Sequence, residues 1–293
     1  MVGKIGAARL TGRNSGLVTK FKDLAGSNLL STHCYIHRQN LASKKMAPEL
    51  NDVLSQSVKI INYIKNSTLN TRMLKTLCGE MGSDNQNLLF HLEVRWLSRG
   101  EVFKRLYEGR KEVELFLIDK KSGLSRYFQD KKWVARLAYL SDIFSYISEF
   151  NLKLQGPDTT IFNAWNKTES FKKKLKLWLN MIAEGNNEMF QLYPDYIMEA
   201  DDSYSQNSVS DIIADHFKML SSFEKYYPET EEPLKQNTWI VNHFVEQKDT
   251  AFSHEETLQF IELSLDKGLE STFNSMSNSK FWIRMKNEYP SLH

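Results

Sequence analysis

The chain has 293 residues, 41% of them hydrophobic, and its 38 Lys and Arg nearly balance 36 Asp and Glu. This composition supports a folded core and excludes a chain that is disordered throughout. No apolar run reaches the roughly 18 residues that a membrane-spanning helix needs, so we expect no membrane partner. The first 25 residues lack the apolar stretch of a signal peptide, and two cysteines form no disulfide framework. We therefore expect a reducing compartment inside the cell, the cytoplasm by default.

Charge is distributed unevenly along the chain. Residues 1–46 carry eight Lys or Arg against one acid, and residues 94–176 carry eighteen against ten. Residues 184–271 have the opposite sign, with five Lys against nineteen acids. The basic N-terminal part is typical of a surface that binds nucleic acid, but solvated faces or two mutually attracting lobes give the same pattern. These interpretations stay open at this point.

The hydrophobic pattern predicts helices over most of the chain. Residues 1–10 have no sustained period, and residues 28–34 (NLLSTHC) fit one short strand. Beyond residue 40, apolar residues recur every three or four positions, as in amphipathic helices whose apolar stripes face a core. The stripes lie at 50–64, 102–117, 133–154, 161–182 and 213–223, followed by Leu258, Ile261 and Leu265. The predicted fold class is mainly α, with at most one or two short strands.

The helical period is interrupted at four places. Residues 79–87 are polar and turn-like, and residues 155–158 (QGPD) separate two helices. Residues 201–210 are acidic and rich in serine, which predicts an exposed loop. Residues 227–237 contain two prolines and are expected to be irregular.

Cysteine and histidine lie close together in His33-Cys34-Tyr35-Ile36-His37. A zinc site needs four ligands, usually as two pairs, and no second pair follows at finger spacing. Cys34 with His33 or His37 could form a nucleophile and base, but no known local signature surrounds them. Burial of the cysteine and a histidine against a helix is the favoured interpretation. We expect no bound metal or cofactor.

Two basic motifs are each open to two interpretations. In Arg95-Trp96-Leu97-Ser98-Arg99, the tryptophan could stack on a base while the arginines hold phosphate. The alternative is a core tryptophan whose arginine neighbours are paired with acids. The run of lysines at 172–176 could serve as a nuclear import signal. The solvated face of a helix is favoured there, because Phe171, Leu175 and Trp178 keep helical spacing.

Several motifs in the same order resemble the hAT-superfamily transposases. The resemblance is closest to the domesticated vertebrate branch whose members are fused to BED-type zinc fingers or SCAN domains, and it covers residues 6–292. The motifs are GAARLTGRNSG (6–16), THCYIHRQNLASKK (32–45), EVRWLSRGEVFKRLYE (93–108), LAYLSDIF (137–144), NLKLQG (151–156) and FWIRMKNEYPSL (281–292).

The resemblance implies an RNase H-like core in which three carboxylates hold two divalent metal ions for strand cleavage and joining. The position of the family's second Asp corresponds to Ile5, whose side chain offers no oxygen to a metal. The first and third carboxylates correspond to positions before Met1 and after His293, as does the upstream BED finger. We therefore expect a protein that is not an enzyme, with no catalytic residue and no metal.

The resemblance also divides the chain. Residues 1–100 correspond to a partial RNase H-like core, residues 101–270 to the helical insertion domain, and residues 271–293 to the start of the C-terminal core segment. His33, Cys34 and His37 match the family's CxxH positions. Arg95 and Trp96 match its RW motif near the DNA end, and with Arg99 they are the candidate DNA contacts.

These observations predict a catalytically inactive, transposase-derived protein that serves as a protein-interaction module in the nucleus. One alternative is a residual DNA-binding protein that uses the basic part of the chain with Arg95, Trp96 and Arg99. Another is a truncated fragment without a function. A monomer is favoured over a dimer, because the family's main dimerisation segment corresponds to positions around and beyond the end of this sequence.

Overall fold

Helices dominate the computed structural model. It describes residues 2–4, 17–25, 31–33, 46–82, 99–155, 159–200, 210–211, 213–216, 237–244 and 252–292. The elements are β1 Val2–Lys4, α1 Leu17–Ala25, β2 Ser31–His33, α2 Pro48–Lys65, α3 Thr68–Glu80, α4 Arg99–Glu108, α5 Arg110–Asp119, α6 Arg126–Gln129, α7 Lys131–Lys153, α8 Ile161–Ala183, α9 Leu192–Ala200, α10 His254–Leu265, α11 Lys267–Asn274 and α12 Asn278–Met285. Three short 3₁₀ helices lie at Gly123–Ser125, Thr238–Ile240 and Pro290–Leu292. The mainly α class is confirmed.

The two strands pair in parallel, with Val2 opposite Ser31 and Lys4 opposite His33. Parallel neighbours need a crossover between them, and α1 lies between the two strands in the sequence. The strand predicted within 28–34 is therefore confirmed in its second half. Two strands of three residues do not establish an RNase H-like core, so that finer assignment stays a prediction.

The chain forms two compact units. One comprises residues 1–34, 156–166 and 227–293, and the other, here called the central unit, comprises 35–155 and 167–226. The predicted division at residues 100 and 270 rests on the resemblance to the transposases, and the packing of the two units does not test it.

Helix α7 is the core of the central unit. Its N-terminus is capped by Asp130, whose carboxylate accepts hydrogen bonds from the backbone N–H groups of Lys132 and Trp133. The predicted stripe from Trp133 to Leu154 is buried, and so are residues beside it, because neighbouring helices cover α7 on several sides. Helices α4 and α9 pack most extensively against it.

The contact between α4 and α7 is unusually close at Gly100. A Cβ atom at this position would lie 2.6 Å from the backbone oxygen of Phe144. Glycine is therefore required for the two helix backbones to approach to this distance.

The structure of α8 supports the prediction that its lysine run lies on a solvated helix face, with one exception. Phe171 and Leu175 are buried, and the ring of Phe171 stacks on Phe150 with centroids 4.3 Å apart. Lys172 is also buried, and its ammonium group lies 2.6 Å from the carboxylate of Glu169. This lysine is therefore part of the packing rather than of a solvated face.

The C-terminal part of the other unit has an aromatic core. Trp239 makes edge contacts with Phe252, Phe260 and Trp282, and Leu263 and Phe281 are fully buried beside it. The indole N–H of Trp282 donates to the backbone oxygen of Ile240 at 2.9 Å. Helices α10, α11 and α12 are held together by this cluster.

One predicted stripe is wrong. Leu258, Ile261 and Leu265 were expected to face the core, yet they are 51%, 49% and 75% exposed. Helix α10 has apolar residues on two faces, and the core takes the face that carries Phe260 and Leu263. The regular stripe is left on the outside.

Candidate functional site

Most of the site residues predicted from the sequence lie outside the described residues. These are Cys34, His37, Arg95 and Trp96, and Ile5, which corresponds to the family's second Asp, also lies outside them. The backbone of His33 ends β2, and that of Arg99 begins α4. The roles predicted for the CxxH and DNA-contact side chains therefore stay predictions.

In the part of the chain that the structure describes, no group of three or more His, Cys, Asp or Glu residues is arranged so that it could hold a metal ion. Within the same residues, no helix is both long and apolar enough to cross a bilayer.

Cys78, on α3, is a buried free thiol whose pKa is raised by burial and by the nearby carboxylate of Glu112.

The described surface feature best suited to binding is the apolar stripe of α10, formed by Leu258, Ile261 and Leu265. Its residues lie on one face of the helix, because positions three and four apart are neighbours on a helix surface. Exposed His254, four residues before Leu258, lies on the same face at the N-terminal end. Contiguous exposed apolar side chains of this kind mark interaction surfaces more often than isolated ones do.

The helix that carries the stripe is firmly anchored. Its N-terminus has a capping box: the Ser253 hydroxyl accepts from the Glu256 N–H, and the Glu256 carboxylate accepts from the Ser253 N–H. On the inner face Leu263 is fully buried. Gln259 donates to the hydroxyl of Ser291 at 3.1 Å and accepts from its N–H at 2.9 Å. The stripe is therefore held in a fixed orientation.

The two edges of the stripe differ in charge. Glu255 and Glu262 lie on one edge, seven residues apart, and Asp266, just after the helix, caps α11 by accepting from the N–H groups of Gly268 and Leu269. On the other edge the hydroxyls of Thr257 and Ser264 donate to backbone oxygens of their own helix. One edge is acidic and the other is uncharged.

Carboxylates on and near this edge contribute to the pKa shift of one neighbouring group. The pKa of the Tyr289 hydroxyl is raised first by burial, and then by the carboxylates of Glu288, Asp266 and Glu262. From 254 to 270 the chain carries five acids and a single lysine, Lys267. Within the described part of the chain, no ion pair engages Glu255, Glu262 or Asp266.

A basic and aromatic surface in the central unit is a weaker candidate. Arg126 lies over the ring of Tyr127 at 5.1 Å from its centroid, and Tyr127 stacks on Trp133 at 5.6 Å. The indole N–H of Trp133 donates to Gln56 at 2.7 Å. Trp133 is buried, so this stack contributes to packing and presents only its arginine end to a ligand.

The spacing of Leu258, Ile261 and Leu265 predicts that they share one helix face, and the structure confirms this. The spacing does not predict that this face is exposed. The signal for its exposure was the pair of acids at 255 and 262, which flank that face, together with Phe260 and Leu263 on the opposite one.

Comparison with known proteins gives a family match and a distant relative. Residues 33–183 match the family model described as the FAM200/GTF2IRD2 helical domain. The chain is 26% identical to a Bos taurus protein named General transcription factor II-I repeat domain-containing protein 2, over 99% of this chain and 30% of that relative. The chain therefore spans less than a third of the length of that relative. No solved structure matches the chain.

Proposed function

This chain belongs to the FAM200/GTF2IRD2-like helical domain family, and on that premise we propose that it is a transposase-derived nuclear protein that acts as a protein-interaction module. The order of its motifs supports an origin in the hAT superfamily, in the domesticated branch with BED or SCAN relatives and an RNase H-like ancestral core. The name of the Bos taurus relative, a transcription factor repeat protein, supports a nuclear location.

The proposed protein does not catalyse strand transfer. The support is chemical: Ile5 occupies the position that corresponds to a metal-binding Asp, and an aliphatic side chain cannot ligate Mg²⁺ or Mn²⁺. Cleavage of transposon-end DNA by the purified chain with either metal would contradict this proposal.

The observation that carries the interaction role is the exposed stripe of α10. Three large apolar side chains on one face of a capped helix expose surface whose burial is favourable, at about 25 cal/mol for each Å² removed from water. Nothing in the packing of the described residues requires this face to be apolar, because Phe260 and Leu263 already supply the core contacts.

The test is site-specific photocrosslinking in cell nuclei. A photoreactive benzoylphenylalanine at position 261 should give discrete crosslinked proteins. The matched control is position 283 on α12, where Ile283 is 72% exposed but belongs to no apolar stripe. The same bands from both positions, or no crosslink from position 261, would refute the interaction role of the stripe.

The second candidate function is residual DNA binding through Arg95, Trp96 and Arg99. The support is the excess of basic residues in 1–46 and 94–176. Such binding should weaken steeply as salt rises, and Trp96→Ala should weaken it further if the indole stacks on a base. Absence of binding to duplex and single-stranded DNA at low salt would exclude this function.

A further inference from the structure

The proposed interaction role can be extended to the chemistry of the partner. Resting on that role, we infer that the α10 stripe binds an amphipathic helix of another protein, one whose apolar ridge is flanked by Lys or Arg. The contact is a short two-helix pairing between α10 and that partner helix.

The spacing of the stripe supports a helical partner. His254, Leu258, Ile261 and Leu265 are four, three and four residues apart, which is the spacing of the a and d positions of a coiled coil. Leucine and isoleucine at such positions insert between the side chains of a facing helix. Helix α10 has 12 residues, so at about 1.5 Å per residue it offers a ridge of about 18 Å, enough for three turns of a partner.

The charges at the edge of the stripe determine which helix fits. In heptad terms Glu255 and Glu262 occupy the positions beside the ridge that pair with charged residues of the partner. Both are exposed. A partner with Lys or Arg along the facing edge gains complementary contacts, and one with Glu or Asp there is repelled.

A second copy of this chain does not satisfy that edge. In an antiparallel pair of α10 helices, Glu255 and Glu262 would face the same residues of the other copy. In a parallel pair they would face Thr257 and Ser264, whose hydroxyls already donate within their own helix. Neither arrangement supplies a cation, so the observations favour a different protein. Anionic lipid surfaces and nucleic acids are disfavoured by the same carboxylates.

The experiment uses three labelled 21-residue peptides and the full 293-residue chain. Two of the peptides carry leucine and isoleucine at a and d, and they differ only in having Lys or Glu at the flanking positions. Binding is followed by fluorescence anisotropy in low and in physiological salt. A scrambled Lys peptide with no apolar ridge controls for binding by charge alone.

The Lys peptide should bind about tenfold more tightly than the Glu peptide at low salt, and the difference should shrink as salt rises. The double variant Ile261→Ser, Leu265→Ser should weaken Lys-peptide binding at least about tenfold, because two central apolar contacts are lost. Ile283→Ser should leave it unchanged. The double variant Glu255→Gln, Glu262→Gln should reduce the ratio between the affinities of the Lys and Glu peptides to about threefold or less.

Three results would overturn the inference. The first is equal affinity of the Lys and Glu peptides for the chain, and the second is a scrambled peptide that binds as tightly as the Lys peptide. The third is a dimer of the chain in sedimentation that Ile261→Ser abolishes. The outcome is separable from that of the proposed function. If position 261 crosslinks to nuclear proteins but the Lys peptide shows no preference, the interaction role stands and the partner chemistry is wrong.

Discussion

Asp142 allows the balance between burial and hydrogen bonding to be tested directly. This carboxylate projects from α7, is buried, and accepts hydrogen bonds from the backbone N–H groups of Leu192 and Tyr193 at the start of α9, each at 3.0 Å. It therefore caps a helix from outside that helix. Burial is the main cause that raises its pKa from 3.8 to about 6, and the backbone N–H groups of Tyr193, Leu192 and Gln191 oppose that rise.

The perturbation is Asp142→Asn. The amide oxygen can accept both hydrogen bonds, but it has no charge to bury. Because the pKa of the folded state is raised, the cost to the wild-type fold is small below about pH 4 and grows as pH rises through 6. With about 1.4 kcal/mol for each pH unit between the two pKa values, this cost is about 1.5 kcal/mol at pH 5 and about 3 kcal/mol at pH 7.5.

The assay is urea unfolding followed by far-ultraviolet circular dichroism, on both proteins at pH 5 and pH 7.5. The pKa of about 6 already includes the effect of the backbone donors, and asparagine replaces the carboxyl without a charge. The variant should therefore be more stable than the wild type by about 1.5 kcal/mol at pH 5 and by about 3 kcal/mol at pH 7.5. Other titrating groups cancel in the difference between the two proteins. A difference that is independent of pH, or that falls as pH rises, would refute the reasoning.

The remaining predictions use the same unfolding assay. Gly100→Ala should destabilise the chain by about 1–3 kcal/mol, since its Cβ would overlap the backbone of Phe144, whereas Gly123→Ala, with open space around it, should change stability by less than about 0.5 kcal/mol. Leu263→Ala should cost about 2–4 kcal/mol, and Leu265→Ala on the exposed stripe less than about 0.5 kcal/mol; equal costs would contradict the assigned orientation of α10. Burial lowers the pKa of His243 to about 4 from 6.5, so its contribution to stability is present above pH 6.5 and is lost as pH falls towards 4, by up to about 3 kcal/mol. His243→Phe should flatten this acid limb, and an unchanged limb would show that another group controls it.

Helix α7 illustrates how far the local pattern reaches. The spacing of Trp133, Leu137 and Phe144 predicts one buried face, and the structure buries it. The pattern does not indicate that Asp142, between these residues, would be buried as well. Its partners are the N–H groups at the start of α9, 50 residues further along the chain, and only tertiary packing places them there.

The basic segments also show which properties follow from the sequence and which depend on the packing. Lys172 belongs to a run of lysines for which the sequence predicts a solvated helix face. It is nevertheless buried beside Glu169, because the packing of α8 covers this position. The motifs that carry the family resemblance, and the isoleucine at position 5, are visible without any structure because they concern residue identity alone. The candidate DNA contacts Arg95 and Trp96 lie outside the described residues and remain sequence predictions.

The sequence by itself determined that this protein is mainly helical and which residues share a helix face, because the 3.6-residue period and the helix caps are local properties. Only the tertiary structure decided the direction of those faces. Helix α10 carries apolar residues on two sides, and a local pattern cannot rank them. The aromatic cluster around Trp239 and Phe281 takes Phe260 and Leu263, and so leaves Leu258, Ile261 and Leu265 in contact with solvent.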